Sequence, residues 1–366
     1  MLDKPLTRVQ ALAMVVMFNF GSSVVMGVST GTAQDSWISL LLGTVYAIPV
    51  VLVYGRIAAL NPGQGLFGAA GARLGKGFGK LFSVLMVWYA LHLSALVLRN
   101  FSEFIQISSL LETPQLPVAA IMVLTVAVLV KGGGKAIGKW AVATLPIVLG
   151  IVVLTVVLSI NIMHPEYFLP VFDHSVSEIS QGAYQVFSFP LAETILFLSV
   201  ADMVTPRDNV MKINLEGVLF SALVLLIIIA RNMMVLGPNV VSVEYFPSYS
   251  AARLINLGDF LSRIEGSISV NFMLAGVTKL AVCLIAASRG IAYIFDVDNW
   301  RRLVVPMALM ALMLSTILYR NTMEMFAFIK YSAYYTIPFQ ILLPVILWAF
   351  SEIGARRQRR LAGTSS

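Results

Sequence analysis

Charge is scarce in this chain. Asp, Glu, Lys and Arg make up 12% of its 366 residues, against about 25% in soluble domains. With 58% hydrophobic residues, that is too little charge to cover a water-facing surface, which excludes an ordinary soluble globule and leaves an all-α polytopic membrane protein. Cysteine is scarcer still. The single one, Cys283, sits inside an apolar run, so no intramolecular disulfide can form and the redox compartment is not legible. Histidine is nearly absent, with three in all. His92 stands alone in an apolar run and reads as a packing hydrogen bonder rather than a proton relay. His164 and His174 share a polar segment with Glu166, Asp173 and Glu178, but no ligand spacing recurs, so a solvated loop is expected there and no metal site. No nucleophile, base and orienting group stand together at recognisable spacing, so an enzyme is not expected, nor a cofactor.

What is present is a series of long apolar runs. A hydrocarbon core of about 30 Å takes roughly 20 residues of helix, and on that ruler ten spans are expected, at residues 9–30, 37–59, 80–108, 115–131, 137–160, 183–204, 213–237, 268–294, 303–319 and 333–353. The opening M-L-D-K-P-L-T-R lacks a small-residue cleavage pattern, so the first run reads as a retained helix. The net charge of +7 is topological rather than a nucleic-acid footprint. Most Lys and Arg fall in alternate connections, such as 73–80, 131–139 and the tail 354–366, whereas the other connections hold only Arg253, Arg263, Arg320 and Lys330. That asymmetry predicts both termini in the cytoplasm, lipid around a single membrane domain, and a basic cytoplasmic tail. The glycine-rich connection between the second and third spans lacks the spacing and ending of a phosphate-binding loop, and a surface amphipathic segment is expected instead. A second surface helix is expected over the A-A-R-L-I-N-L-G-D-F-L-S-R-I stretch near residues 251–264.

Two spans are interrupted. The first carries G-S-S-V-V-M-G, with Gly21, Ser22 and Ser23 at mid-depth; the sixth carries Ser188, Pro190 and Glu193 within six residues. Glycine weakens a helix, proline removes a donor, and hydroxyls can occupy the freed groups. Breaks at corresponding places in two five-helix halves, residues 9–160 and 183–353, are the sequence sign of an inverted-repeat transporter fold. Such breaks expose amide donors that suit a carboxylate and carbonyls that suit an ammonium, so a zwitterionic amino acid fits. Buried charges accompany the breaks. Arg99 and Glu103 stand four apart on one helical face and suit an internal ion pair. Lys279 lies too deep to reach either headgroup layer; it either takes the place of a coupling cation beside the first break or forms a structural pair with a carboxylate such as Glu193.

The succession G-S-S-V-V-M-G, G-T-A-Q-D-S-W-I-S, L-R-N-F-S-E-F, L-E-T-P, P-V-F-D and S-F-P-L-A-E-T-I-L-F-L resembles the spore germination permease family, the B subunits of endospore nutrient germinant receptors within the amino acid, polyamine and organocation superfamily. The resemblance spans roughly residues 6–350 and implies a LeuT-like, five-plus-five fold with helices 1 and 6 broken. It also implies residence in the inner membrane of the spore, and partnership with an A subunit and a lipoprotein C subunit. Carried over by position, the germinant pocket would comprise Gly21, Ser22 and Ser23 with Ser188, Phe189, Pro190 and Leu191, joined by Tyr89 and Asn271. Family members often have a first span richer in glycine and containing proline, whereas serines fill the break here. The alternative function is an ion- or proton-coupled amino acid permease, which would use the same pocket.

Overall fold

The computed structural model describes residues 5–109, 112–205, 208–255 and 264–363. Among the described residues there are fourteen α-helices, with 3-10 segments of 3 to 13 residues between some of them. In chain order they are α1 (Arg8–Phe20), α2 (Ser23–Met26), α3 (Ser36–Leu60), α4 (Leu66–Ser108), α5 (Gln115–Lys131), α6 (Gly134–Ser159), α7 (Val176–Ser188), α8 (Val210–Leu236), α9 (Pro238–Val241), α10 (Pro247–Arg253), α11 (Glu265–Ile294), α12 (Val304–Ile317), α13 (Thr322–Ile337) and α14 (Leu343–Gly363). Eight helical stretches among the described residues are long and apolar enough to cross a membrane. Two shorter apolar helices, α1 and α5, occupy the places of the first and fourth expected spans.

Local chemistry sets the ends. Thr7 and Gln10 form a reciprocal capping box that starts α1, and Ser175 with Glu178 does the same for α7. The glycine-rich connection is helical as expected of an amphipathic segment, and it turns into the span at Gly75, whose φ of +79° bends α4. Pro338 ends α13, and a π turn over Pro338–Leu342 leads into α14. Of the stretch near 251–264 expected to form a surface helix, residues 251–253 are the end of α10, and residues 256–263 lie outside the described residues.

Burial separates two populations of helix. In α11, and in the stretch from α7 through the 3-10 helix Leu191–Met203, 83% of the span is buried, whereas in α6 and α12 the share is 28%. The first two are therefore enclosed by protein, while the others turn large apolar side chains such as Val153 and Met313 outward, as a lipid-facing surface requires. α11 packs along α4, and α1 lies among α6, α8 and α11.

The face carrying the basic connections is stitched shut. Leu6 pairs with the end of the 191–203 segment, donating to the Met203 carbonyl at 2.7 Å and accepting from the Thr205 amide at 2.9 Å. Arg8 meets Glu216 at 2.7 Å. Arg289 forks onto both carboxylate oxygens of Asp202 at 2.7 and 2.6 Å and also donates to the Ser199 carbonyl. Lys80 donates to Asp296, and that bond holds the Asp296 carboxyl below its usual range. On the opposite face the P-V-F-D connection is pinned rather than freely solvated. The buried Asp35 carboxylate accepts from the amides of Phe172 and His174 at 2.8 and 3.0 Å, and Gln34 donates to Asp173 at 2.8 Å.

Candidate functional site: a cavity between two broken helices

Both expected interruptions are present. α1 stops at Gly21, whose φ of 16° and ψ of −108° leave the helical region; one turn of helix, α2, follows and ends at Gly27. α7 stops at Ser188, Phe189 is extended, and the chain resumes at Leu191 as a 3-10 helix. Between the breaks lies a cavity of about 570 Å³ that reaches from mid-protein toward the face opposite the basic one, where Thr30, Glu244 and Met323 line it. This volume falls in the range of small-molecule sites, roughly 300–1,000 Å³.

The residues expected to form the pocket divide into two groups. Ser22, Tyr89, Ser188 and Phe189 line the cavity. Ser22 Oγ is buried and has no hydrogen-bond partner among the described residues, so a polar group is presented at the first break. Gly21, Ser23, Pro190, Leu191 and Asn271 are not among its lining residues. Ser23 Oγ donates to the Asn19 and Phe20 carbonyls at 2.6 and 3.1 Å, so it repairs the break rather than facing a ligand. Gly21 makes room: a Cβ there would lie 2.3 Å from Lys279 Cδ. Asn271 points to the Val148 carbonyl, at 3.4 Å.

The buried charges sit at the breaks. Lys279 Nζ lies 2.5 Å from Glu193 Oε2, with side chains 0% and 5% exposed, and both residues line the cavity. The ammonium also stands over the Phe189 ring at 4.6 Å and the Phe18 ring at 5.5 Å. Arg99 Nη2 meets Glu103 Oε1 at 2.6 Å along one turn of α4, away from the cavity lining, as a structural pair within that helix. His92 does line the cavity, but inside an aromatic cluster with Trp88, Phe328 and Tyr335, where Trp88 Nε1 donates to Tyr335 OH at 2.8 Å. Among the described residues no group of three or more His, Cys, Asp or Glu is placed to hold a metal.

Residues the sequence did not single out complete the second break. Gln340, in the π turn, donates through Nε2 to the Ser188 carbonyl and to Tyr89 OH, both at 2.8 Å. Tyr54 OH reaches the Ala192 carbonyl at 3.1 Å and the Gln340 carbonyl at 2.5 Å. The carbonyl freed at Ser188, which the sequence suggested for a ligand ammonium, is therefore taken by protein. Asn100 and Gln185 add polar lining, and Asn100 Oδ1 is buried with no partner among the described residues. The one visible signal for Gln340 was a polar residue set between Pro338 and Pro344 in an apolar run.

Comparison with known proteins follows the same lines. The family model described as "Spore germination protein" matches residues 5–325. The chain is 24% identical over 359 residues to spore germination protein KB of Bacillus subtilis (strain 168), covering 97% of this chain and 96% of the relative. Among solved structures it is similar to MhsT in complex with L-phenylalanine, with TM-score 0.66 and 14% identity over 92% of this chain and 87% of that one. A Na+-coupled sialic acid symporter in a substrate-bound outward-open state gives TM-score 0.67 and 12% identity over 98% and 90%. At these identities the structural likeness establishes a LeuT-like transporter fold and nothing finer.

Proposed function

The chain belongs to the spore germination permease family, and from that premise we propose that it is the B subunit of an endospore nutrient germinant receptor, which senses a small germinant, an amino acid, between its two broken helices. It is an integral membrane protein of transporter fold and not an enzyme. In this reading it resides in the inner membrane of the spore with both termini in the cytoplasm, and works with A and C subunits. The cavity then faces outward, toward arriving nutrient, and the stitched basic face closes the cytoplasmic side.

The single observation that supports a ligand-sensing role best is the cavity itself, lined from both breaks at once by Ser22, Ser188 and Phe189. An amino acid held there touches two segments whose backbones are already interrupted, so its binding energy can favour one arrangement of the breaks over another. The volume leaves room for a side chain beside Tyr89 and the aromatic cluster around His92.

The test is binding set beside uptake. Purified protein in proteoliposomes is expected to bind a radiolabelled L-amino acid at equilibrium without accumulating it when a proton or sodium gradient is imposed. Gradient-driven accumulation would overturn the sensor reading in favour of a coupled permease. A deletion strain challenged with single amino acids identifies the germinant, and a strain that germinates normally on all of them would overturn the receptor role.

A further inference from the structure

Among the described residues the charged groups lining the cavity are Glu244, at its mouth, and the pair Glu193 and Lys279, at the breaks. Among the described residues the hydrogen bond of Lys279 to Glu193 is the only one either side chain makes, and aromatic faces supply the ammonium's other near neighbours. An ammonium has three donors and a carboxylate about four acceptor sites, so each charge retains capacity for a second partner. At the breaks the freed carbonyls already have partners. Ser188's carbonyl holds Gln340, Ser23 fills the carbonyls at the end of α1, and α2 is a single turn.

We propose that the Lys279–Glu193 pair is the polar half of the germinant site held in a self-satisfied state, and that the ligand class it selects is the neutral zwitterionic α-amino acid. The ligand carboxylate takes Lys279, the ligand ammonium takes Glu193, and Phe189, which covers the ammonium, gives way. This deepens the germinant-sensing reading and rests on it. The selection follows from charge balance. The pair is neutral, and a zwitterion exchanges partners without leaving any buried charge uncompensated. An amine or a simple carboxylic acid can satisfy only one member and strands the other, which in a buried site lowers affinity by about 100-fold or more. Exchange also frees Glu193, on the 3-10 segment, from Lys279, on α11, so the same event that admits the ligand uncouples the second break from the helix behind it.

The experiment measures thermal stabilisation of the purified full-length protein by each of the twenty proteinogenic L-amino acids, then by the amide and the desamino acid of whichever stabilises it. Wild type is expected to respond to the amino acid and to lose about 100-fold or more in apparent affinity for both analogues. The Glu193→Gln/Lys279→Met double variant removes both charges while keeping the volume, so it is expected to fold with its melting temperature retained and to be silent to the amino acid. A double variant that answers the amino acid like wild type, or analogues that bind as well as the amino acid, would overturn the exchange while leaving the germinant site standing. No response of wild type to any of the twenty would overturn both.

Discussion

Gly21→Ala tests whether the first break exists partly to accommodate Lys279. The added Cβ would stand 2.3 Å from Lys279 Cδ and 3.2 Å from Lys279 Cβ, where carbon atoms prefer about 3.5–4.0 Å. The lysine stem must therefore shift by more than about 1 Å. It has little freedom to do so, because its side chain is fully buried and its ammonium is held on Glu193 at 2.5 Å. Alanine normally gains up to about 1 kcal/mol over glycine inside a helix, but Gly21 at φ 16° and ψ −108° lies outside the helical region and that gain is forfeited. Overpacking of this kind costs about 1–3 kcal/mol. Thermal unfolding of the purified protein should drop by a few degrees. The same substitution placed in a Glu193→Gln/Lys279→Ala background, where the stem is gone, should cost less than half as much. An equal cost in both backgrounds would refute the argument that Gly21 makes room for the lysine.

Other perturbations test the remaining parts of the site. Tyr54→Phe removes the hydroxyl shared by two buried carbonyls, those of Ala192 and Gln340, and should lower stability by about 1–3 kcal/mol, read from the same unfolding transitions; no change would mean the tyrosine hydroxyl does not hold the second break to α3 and the π turn. Asp202→Asn removes the forked pair with Arg289 on the basic face. Cys283, the sole cysteine, is fully buried one turn along α11 from Lys279 and serves as a built-in reporter. Its alkylation by a maleimide should be slow in wild type and about tenfold faster in Asp202→Asn, given roughly 1.5–3 kcal/mol for charged hydrogen bonds; equal rates would show that the pair does not keep this side closed.

The fold was legible in the sequence because its determinants are local. Low charge and runs of about 20 apolar residues mark membrane helices, and glycine, serine and proline at mid-depth mark the breaks at Gly21 and Pro190. The Lys279–Glu193 pairing was also visible as one of two alternatives, since so few charges lie deep enough to compensate one another. The detailed lining was not, because it depends on the register of each break. Ser22 and Ser23 are adjacent and chemically alike, yet one faces the cavity and the other repairs its own helix, and a shift of one residue would exchange them. Asn271 precedes Lys279 by two turns, about 12 Å along the axis, which separates it from the level of the breaks. Gln340 and Tyr54 act across long stretches of chain, on groups that become available only once the sixth span has broken, so nothing in their own neighbourhood announces the role.

The proposed function rests on a small amino acid binding between the two breaks. Equilibrium binding of radiolabelled L-amino acids to wild type and to Ser22→Leu tests it most directly. Ser22 lines the cavity with a hydroxyl that has no partner among the described residues, and leucine there would fill space on the ligand's side and withdraw the polar group. Ser22→Leu is expected to keep its melting temperature within a few degrees and to bind the germinating amino acid at least about tenfold more weakly, about 1.4 kcal/mol. Undiminished binding by a folded Ser22→Leu protein would place the ligand elsewhere, outside the cavity between the breaks.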